Sequence, residues 1–205
     1  VTPRNEKGLQ TPLIIRFFWL ALLVFLQMLY FPINRLASGG VSLSITLDQY
    51  VPFWPIWAVP YLLSLAWWEG CFIWAAIKVA PKTFRAFVIA AASVMVASYV
   101  IYLFFPTYVE RPTPAGTGWG IELVRLIYVS DRSYNAFPSG HAYTTTMISL
   151  FLAKWYPSKR WLWSIIAFVI ILSALFTGQH NLLDMLGGVL LASGGYILGV
   201  WLDSR

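Results

Sequence analysis

Charge is what this chain has least of. Only 11% of its 205 residues are Asp, Glu, Lys or Arg, whereas soluble domains carry about 25%. That is too little to cover a water-facing surface, so an ordinary soluble domain is excluded. Cysteine is rarer still. Cys71 stands alone inside an apolar stretch, which excludes an internal disulfide and reads as plain packing. Internal repeats and low-complexity segments are absent, so a repeat array is excluded too. Histidine occurs twice, as His141 and His180. Any imidazole chemistry must use those two rings.

What the chain does have is apolar mass: 59% hydrophobic residues, with 11 Trp, 11 Tyr and 14 Phe. Long apolar runs bounded by aromatics are the pattern of a multi-span membrane protein. Windows of about 19 residues predict six spans, at 13–33, 53–77, 84–105, 139–156, 160–177 and 182–202. Pro55 and Pro60 fall at the start of the second span, where a helix tolerates proline. The first run is longer than the core of a signal peptide and no small-residue cleavage site follows, so it reads as a retained anchor. The expected fold is therefore all-α, a polytopic bundle of six transmembrane helices. Residues 1–205 form one membrane-embedded domain in this reading, with a long outer loop, 106–138, between the third and fourth helices. The stretch "GIELVRLIYVSDRS" in that loop is apolar enough to lie along the interface.

Basic residues give the orientation. Arg4, Lys7, Arg16, Lys78, Lys82, Arg85, Lys154, Lys159, Arg160 and Arg205 fall on the side of the N-terminus. Arg35, Arg111, Arg125 and Arg132 fall on the other. Ten against four predicts that both termini are cytoplasmic, and the expected location is the plasma (inner) membrane with the active site on its outer face. The net charge of +6 is thereby dispersed over short loops, which argues against a nucleic-acid partner.

On this topology His141 and His180 both begin helices at the outer face. "TGQHNLLDMLGG" sets Asp184 four residues after His180, the spacing of neighbours on one helix face. A carboxylate there can accept the Nδ1–H of His180, fix its tautomer and leave Nε2 with a free lone pair. An intramembrane carboxylate is costly and points to function. Pro138, Ser139 and Gly140 precede His141 where a helix begins, and free N–H groups at such a start attract anions. Gly140 lets a ligand come close to the backbone, and Ser139 can donate a further hydrogen bond. Arg111 offers a fork of donors suited to phosphate oxygens. Arg132 is a second candidate cation, while Arg125 suits the polar side of an interfacial helix. Together these groups are fit for displacement at phosphorus through a phosphohistidine. The alternative from another class is a non-catalytic membrane protein in which His141, His180 and Asp184 ligate a divalent metal.

These residues resemble the signature of the type 2 phosphatidic acid phosphatase (PAP2) superfamily of lipid phosphatases and phosphotransferases. That signature reads Lys-x6-Arg-Pro, then Pro-Ser-Gly-His, then Ser-Arg-x5-His-x3-Asp. The middle part is complete as Pro138-Ser139-Gly140-His141. The first keeps Arg111-Pro112 but has Phe104 in place of its lysine. The third keeps Ser173, His180 and Asp184 but has Ala174 in place of its arginine. The resemblance implies that His180 is the nucleophile, Asp184 its orienting partner, and His141 the acid that protonates the leaving alkoxide. Arg111, Ser139 and the Gly140 backbone would hold phosphate, with Arg132 replacing a missing cation. It implies no metal and no cofactor. The implied partners are a lipid phosphate substrate, either a phosphomonoester or a pyrophosphate, and the surrounding membrane lipids. "YNAFPSGHA" and "QHNLLDMLGG" also resemble the inositolphosphorylceramide-synthase-like branch. That branch implies the alternative reaction, transfer of a phosphoryl or phospho-headgroup to a lipid or polyol alcohol.

Overall fold

The computed structural model describes residues 12–205. Arg4 and Lys7, two of the basic residues assigned to the N-terminal side, lie outside the described residues. The chain forms α1 (Leu13–Leu36), α2 (Ala58–Lys78), α3 (Pro81–Phe104), α4 (Trp119–Ser130), α5 (Gly140–Trp155), α6 (Arg160–Phe176) and α7 (Leu182–Ser204). Two short strands, β1 (Val41–Ser42) and β2 (Thr107–Tyr108), pair in parallel with Val41 opposite Thr107. Pro55 opens a 3₁₀ turn that leads into α2, and Pro60 lies in the first turn of α2. Neither proline interrupts an established backbone ladder there.

Among the described residues five helical segments are long and apolar enough to cross a membrane: α1, α3, α7, α2 with the turn that leads into it (Pro55–Lys78) and α6 with its own leading turn (Pro157–Phe176). The chain is thus a multi-pass membrane protein. The fourth expected span becomes α5, with only 16 residues, about 24 Å of helix against a hydrocarbon core of about 30 Å. Ten of those residues are buried, Thr144, Thr145 and Ser149 among them. α5 packs on α2, α3, α6 and α7. Its neighbours screen those hydroxyls from lipid, so α5 needs no continuous apolar surface.

The segment 106–138 is more structured than a plain loop. Its apolar stretch forms α4, which buries Val124 and Ile127 and leaves Val129 86% exposed. That one-sided burial is what an amphipathic surface helix requires. The main core draws on α1, α2, α3, α5 and α7 and includes Leu23, Phe72, Phe87, Met147 and Phe151. A second cluster joins Tyr61, Val124, Ala174 and Met185 beneath α4. α7 comes close to α5 because Gly188 has no side chain. A Cβ there would lie 2.7 Å from both the Ala142 Cβ and the Ser139 carbonyl oxygen. Small residues permit such approach between membrane helices.

Hydrogen bonds define the two ends of the bundle. At one, Arg16 near the start of α1 meets the end of α2, and Lys154 of α5 meets Asp203 of α7. At the other, Asn34 at the end of α1 donates to the carbonyls of Arg132 and Tyr134. Both histidines belong to this second end.

Candidate active site

The quoted Pro-Ser-Gly-His stretch is held from three sides before α5 begins. The Tyr102 hydroxyl of α3 donates to the Pro138 carbonyl at 2.6 Å. The Thr107 hydroxyl accepts the Phe137 N–H at 2.8 Å. The Ser139 N–H donates to the Asp184 carbonyl of α7 at 2.9 Å. Ser139 is the N-cap of α5, its hydroxyl accepting from the Ala142 N–H at 3.2 Å, and it is fully buried. The N–H groups of Gly140 and His141 head the helix with no backbone acceptor among the described residues. Tyr61 stacks on the His141 ring, centroids 4.0 Å apart, and Trp68 lies at 4.8 Å. These two aromatics fix the imidazole plane.

His180 comes from the turn between α6 and α7. Gly178 adopts a φ of 66°, a conformation open to glycine, and a Cβ there would lie 2.6 Å from Pro112. His180 does not stand on α7. Asn181 is the N-cap, and the Asp184 carboxylate accepts the Asn181 N–H at 2.8 Å in a capping box. The helical i,i+4 relation therefore does not apply, and the His180 Nδ1 lies 3.9 Å from Asp184 Oδ2. Its hydrogen bond goes instead to the Ala136 carbonyl, at 3.0 Å. A carbonyl only accepts, so Nδ1 carries the proton and Nε2 the lone pair. The expected tautomer is present, but a backbone oxygen fixes it.

The two imidazole centroids are 6.4 Å apart. Burial lowers the His180 pKa to about 3, the Arg111 charge adds to that lowering, and the Ala136 bond opposes it. The ring is neutral at physiological pH. Arg111 is locked in place. One nitrogen donates to the Asp131 carbonyl at 2.6 Å, and the other to the Arg132 carbonyl at 3.0 Å and to Gln179 Oε1 at 2.7 Å. Its guanidinium lies 4.7 Å from the Tyr128 ring. Asp131 accepts from the Tyr30 hydroxyl at 2.9 Å, and burial raises its pKa to about 6. The Arg132 guanidinium turns to the carbonyls of Arg35 and Ala37 and to the Tyr134 ring. Only its backbone supports Arg111. Arg125 pairs with Glu122 on α4. Phe104 is 84% exposed and Ala174 is fully buried.

Several buried polar atoms here have no hydrogen-bond partner among the described residues: Arg111 Nε, both amide atoms of Asn135, His141 Nε2, Gln179 Nε2, Asn181 Nδ2 and Asp184 Oδ1. Leaving such groups unpaired is costly, and their concentration around one pair of rings suits a polar ligand. A cavity of about 100 Å³ opens beside His180, lined in part by Asp48, Glu110, Pro112 and Asn181. Asp48 was not anticipated from the sequence. Its carboxylate accepts the N–H groups of Ile45 and Leu182, each within 2.8 Å, and so joins the first outer loop to the head of α7. Ala136 and Gln179 were also missed. Both flank the histidine motifs, and proximity in sequence was the only signal they gave. Among the described residues no three His, Cys, Asp or Glu side chains gather as a ligand set.

The fold and this pair of buried rings define a polytopic membrane protein with a histidine-based polar centre at one end of its bundle. The PAP2 superfamily model matches residues 87–203, more than half of the sequence, and the chain belongs to that superfamily. It is similar to the lipid A 4'-phosphatase of Porphyromonas gingivalis, 24% identical over 155 residues. The match covers 71% of this chain and 66% of that protein, so the chain spans just under two thirds of its relative. No solved structure matches the chain.

Proposed function

We propose that this protein is a lipid phosphate phosphatase that hydrolyses a lipid phosphomonoester or pyrophosphate through a phosphohistidine. The observation that carries the reading is the pair of rings 6.4 Å apart, one with its Nδ1 tied to the Ala136 carbonyl and the other with an unpartnered Nε2. His180 Nε2 attacks phosphorus, an N–P bond forms, and the P–O bond to the lipid breaks. His141 gives its proton to the departing oxygen, the alkoxide of a monoester or the bridging oxygen that leaves with the lipid phosphate of a pyrophosphate. Phosphate charge between the rings favours the imidazolium form that this step needs. Water then attacks phosphorus, His141 takes its proton, and the N–P bond breaks to release inorganic phosphate.

Arg111 and the N–H groups of Gly140 and His141 neutralise phosphate oxygens, in the manner of an oxyanion hole. Ser139 supports the cradle as the helix cap. Asp184 acts at one remove, by fixing the turn that carries His180. Arg132 serves through its carbonyl, which holds Arg111. The protein donors supply the charge compensation, so the reaction is metal-independent. The chain works as one membrane domain with α5 as its sixth crossing, both termini cytoplasmic and the histidines at the outer face. Lipid substrate reaches them sideways between helices.

The test is a phosphate-release screen over a lipid A phosphate, phosphatidic acid and a polyprenyl pyrophosphate, with excess EDTA and no added alcohol. Release from one of these, abolished in His180→Ala, is the expected result. Release that requires an alcohol acceptor would make the protein a transferase instead. His141→Ala should slow alkyl phosphates more than nitrophenyl phosphates, and equal losses would refute the acid role.

A further inference from the structure

The end of the bundle away from the histidines holds a second, larger cavity. Its volume is about 320 Å³, and it is lined by Arg16, Trp19, Pro81, Lys82, Phe84 and Arg85. Three of these six are cations and none is acidic. It sits where α1 begins, α2 ends and α3 begins. α3 is 24 residues long, so the cavity lies about 36 Å of helix away from the histidine end.

Arg16 is the unusual member. It lies in an apolar helix and is only 8% exposed, a costly location for a permanent charge. One terminal nitrogen donates to the carbonyls of Ala76 and Val79, each at 2.8 Å, which anchors the guanidinium at the end of α2. Its Nε is buried and has no partner among the described residues. The Asp203 carboxylate nearby is already engaged by Thr83 at 2.6 Å and by Lys154 at 3.0 Å. None of the described residues' ion pairs involves Arg16, Lys82 or Arg85. The cavity thus concentrates positive charge with no counter-ion among the described residues.

Its surroundings are those of an amphiphile. Trp19 and Phe84 form aromatic walls, and Leu13, Ile14, Phe17 and Phe18 leave α1 apolar and exposed beside it. A phosphate group matches the guanidinium fork and the two flexible cations, and acyl chains match the apolar flank. Basic pockets between membrane helices accept lipid headgroups on these terms. We propose that this cavity binds the phosphate headgroup of an anionic phospholipid, held as a resident lipid at the end of the bundle opposite the histidines.

Native mass spectrometry of the full chain in detergent tests this, with dioleoylphosphatidylglycerol, dioleoylphosphatidylcholine and inorganic phosphate as probes. The wild type should retain phosphatidylglycerol in preference to phosphatidylcholine. Lys82 and Arg85 are exposed, so Lys82→Gln with Arg85→Gln should fold. Each cation near a membrane surface is worth about a fivefold in affinity, and the double variant should bind phosphatidylglycerol about 25-fold more weakly. Lys82→Arg with Arg85→Lys should restore binding. His180→Ala should leave it unchanged, which separates this lipid from one held at the histidines. Equal retention of the two lipids, or no loss in the double variant, would overturn the proposal. Displacement of the lipid by inorganic phosphate would do so as well, and would mark the site as one for a soluble anion.

Discussion

The two ends of the bundle treat arginine in opposite ways. At the histidine end Arg111 is clamped by two carbonyls, Gln179 and an aromatic face. At the other end Arg16 is anchored through one nitrogen, while Lys82 and Arg85 are exposed around an open cavity. Clamping removes the reorganisation that a charge would otherwise undergo as a reaction proceeds, which is what electrostatic catalysis requires. Loose cations suit retention of a headgroup, where charge matters more than exact placement. On the two proposals above, similar side chains would support chemistry at one end and binding at the other, and the scaffold around them makes the difference.

Variants can break or sharpen this contrast. The largest effect is expected from His180→Ala. It should stop phosphate release, a loss beyond about 10⁴-fold as for a protease nucleophile, while leaving lipid retention at the far end intact. Arg111→Ala should slow turnover by about 10²–10³-fold, the scale for loss of a preorganised donor. Arg111→Lys should recover little of this, because an ammonium cannot span the same carbonyls and amide. Both are read from kcat for phosphate release.

Asp184→Asn keeps an oxygen to cap Asn181 but removes the ionisable carboxyl. A mis-set histidine costs about 10⁴ where a carboxylate holds the ring directly. Here the Ala136 carbonyl holds it, and a loss of about 10²-fold in kcat is expected. A loss as large as that of His180→Ala would show that the carboxylate contacts the ring during turnover. Asp48→Ala removes the acceptor for two N–H groups and should lower stability by about 1 kcal/mol, seen as a reduced Tm. Asp48→Asn should cost less.

A further expected effect is on pH dependence. The His180 pKa is about 3 in the folded protein and about 6.5 for a free side chain. Between those values the unfolded chain binds more protons, so stability rises with pH and is lost on acidification through that window. Thermal unfolding of His180→Asn should show a shallower acid slope than the wild type. The basic end has no histidine, and Lys82→Gln with Arg85→Gln should leave that slope unaltered.

Much of this was legible in the sequence. Apolar runs and aromatic flanks predicted membrane helices, and five of the six expected spans have the required length and hydropathy. The remaining one, the fourth, is α5, which can be short and polar-lined where its neighbours bury it, a condition no window over a single segment can detect. The motif spacing placed His141 and His180 at helix starts. Their meeting at 6.4 Å depends on how α5, α7 and the 106–138 segment fold together. Treating His180 and Asp184 as neighbours on one helix assumed that the helix had already begun at His180. It begins at Leu182, and the carboxylate turns back to cap it.

The sequence by itself determined the solvent of this protein and the chemical identity of its candidate reactive groups, since both follow from side-chain composition and local order. Only the tertiary structure decided which oxygen holds Nδ1, which arginine is fixed and which stays loose, and which helix is spared contact with lipid. Those outcomes depend on backbone carbonyls and neighbouring helices remote in the chain, and backbone carbonyls carry no sequence signature.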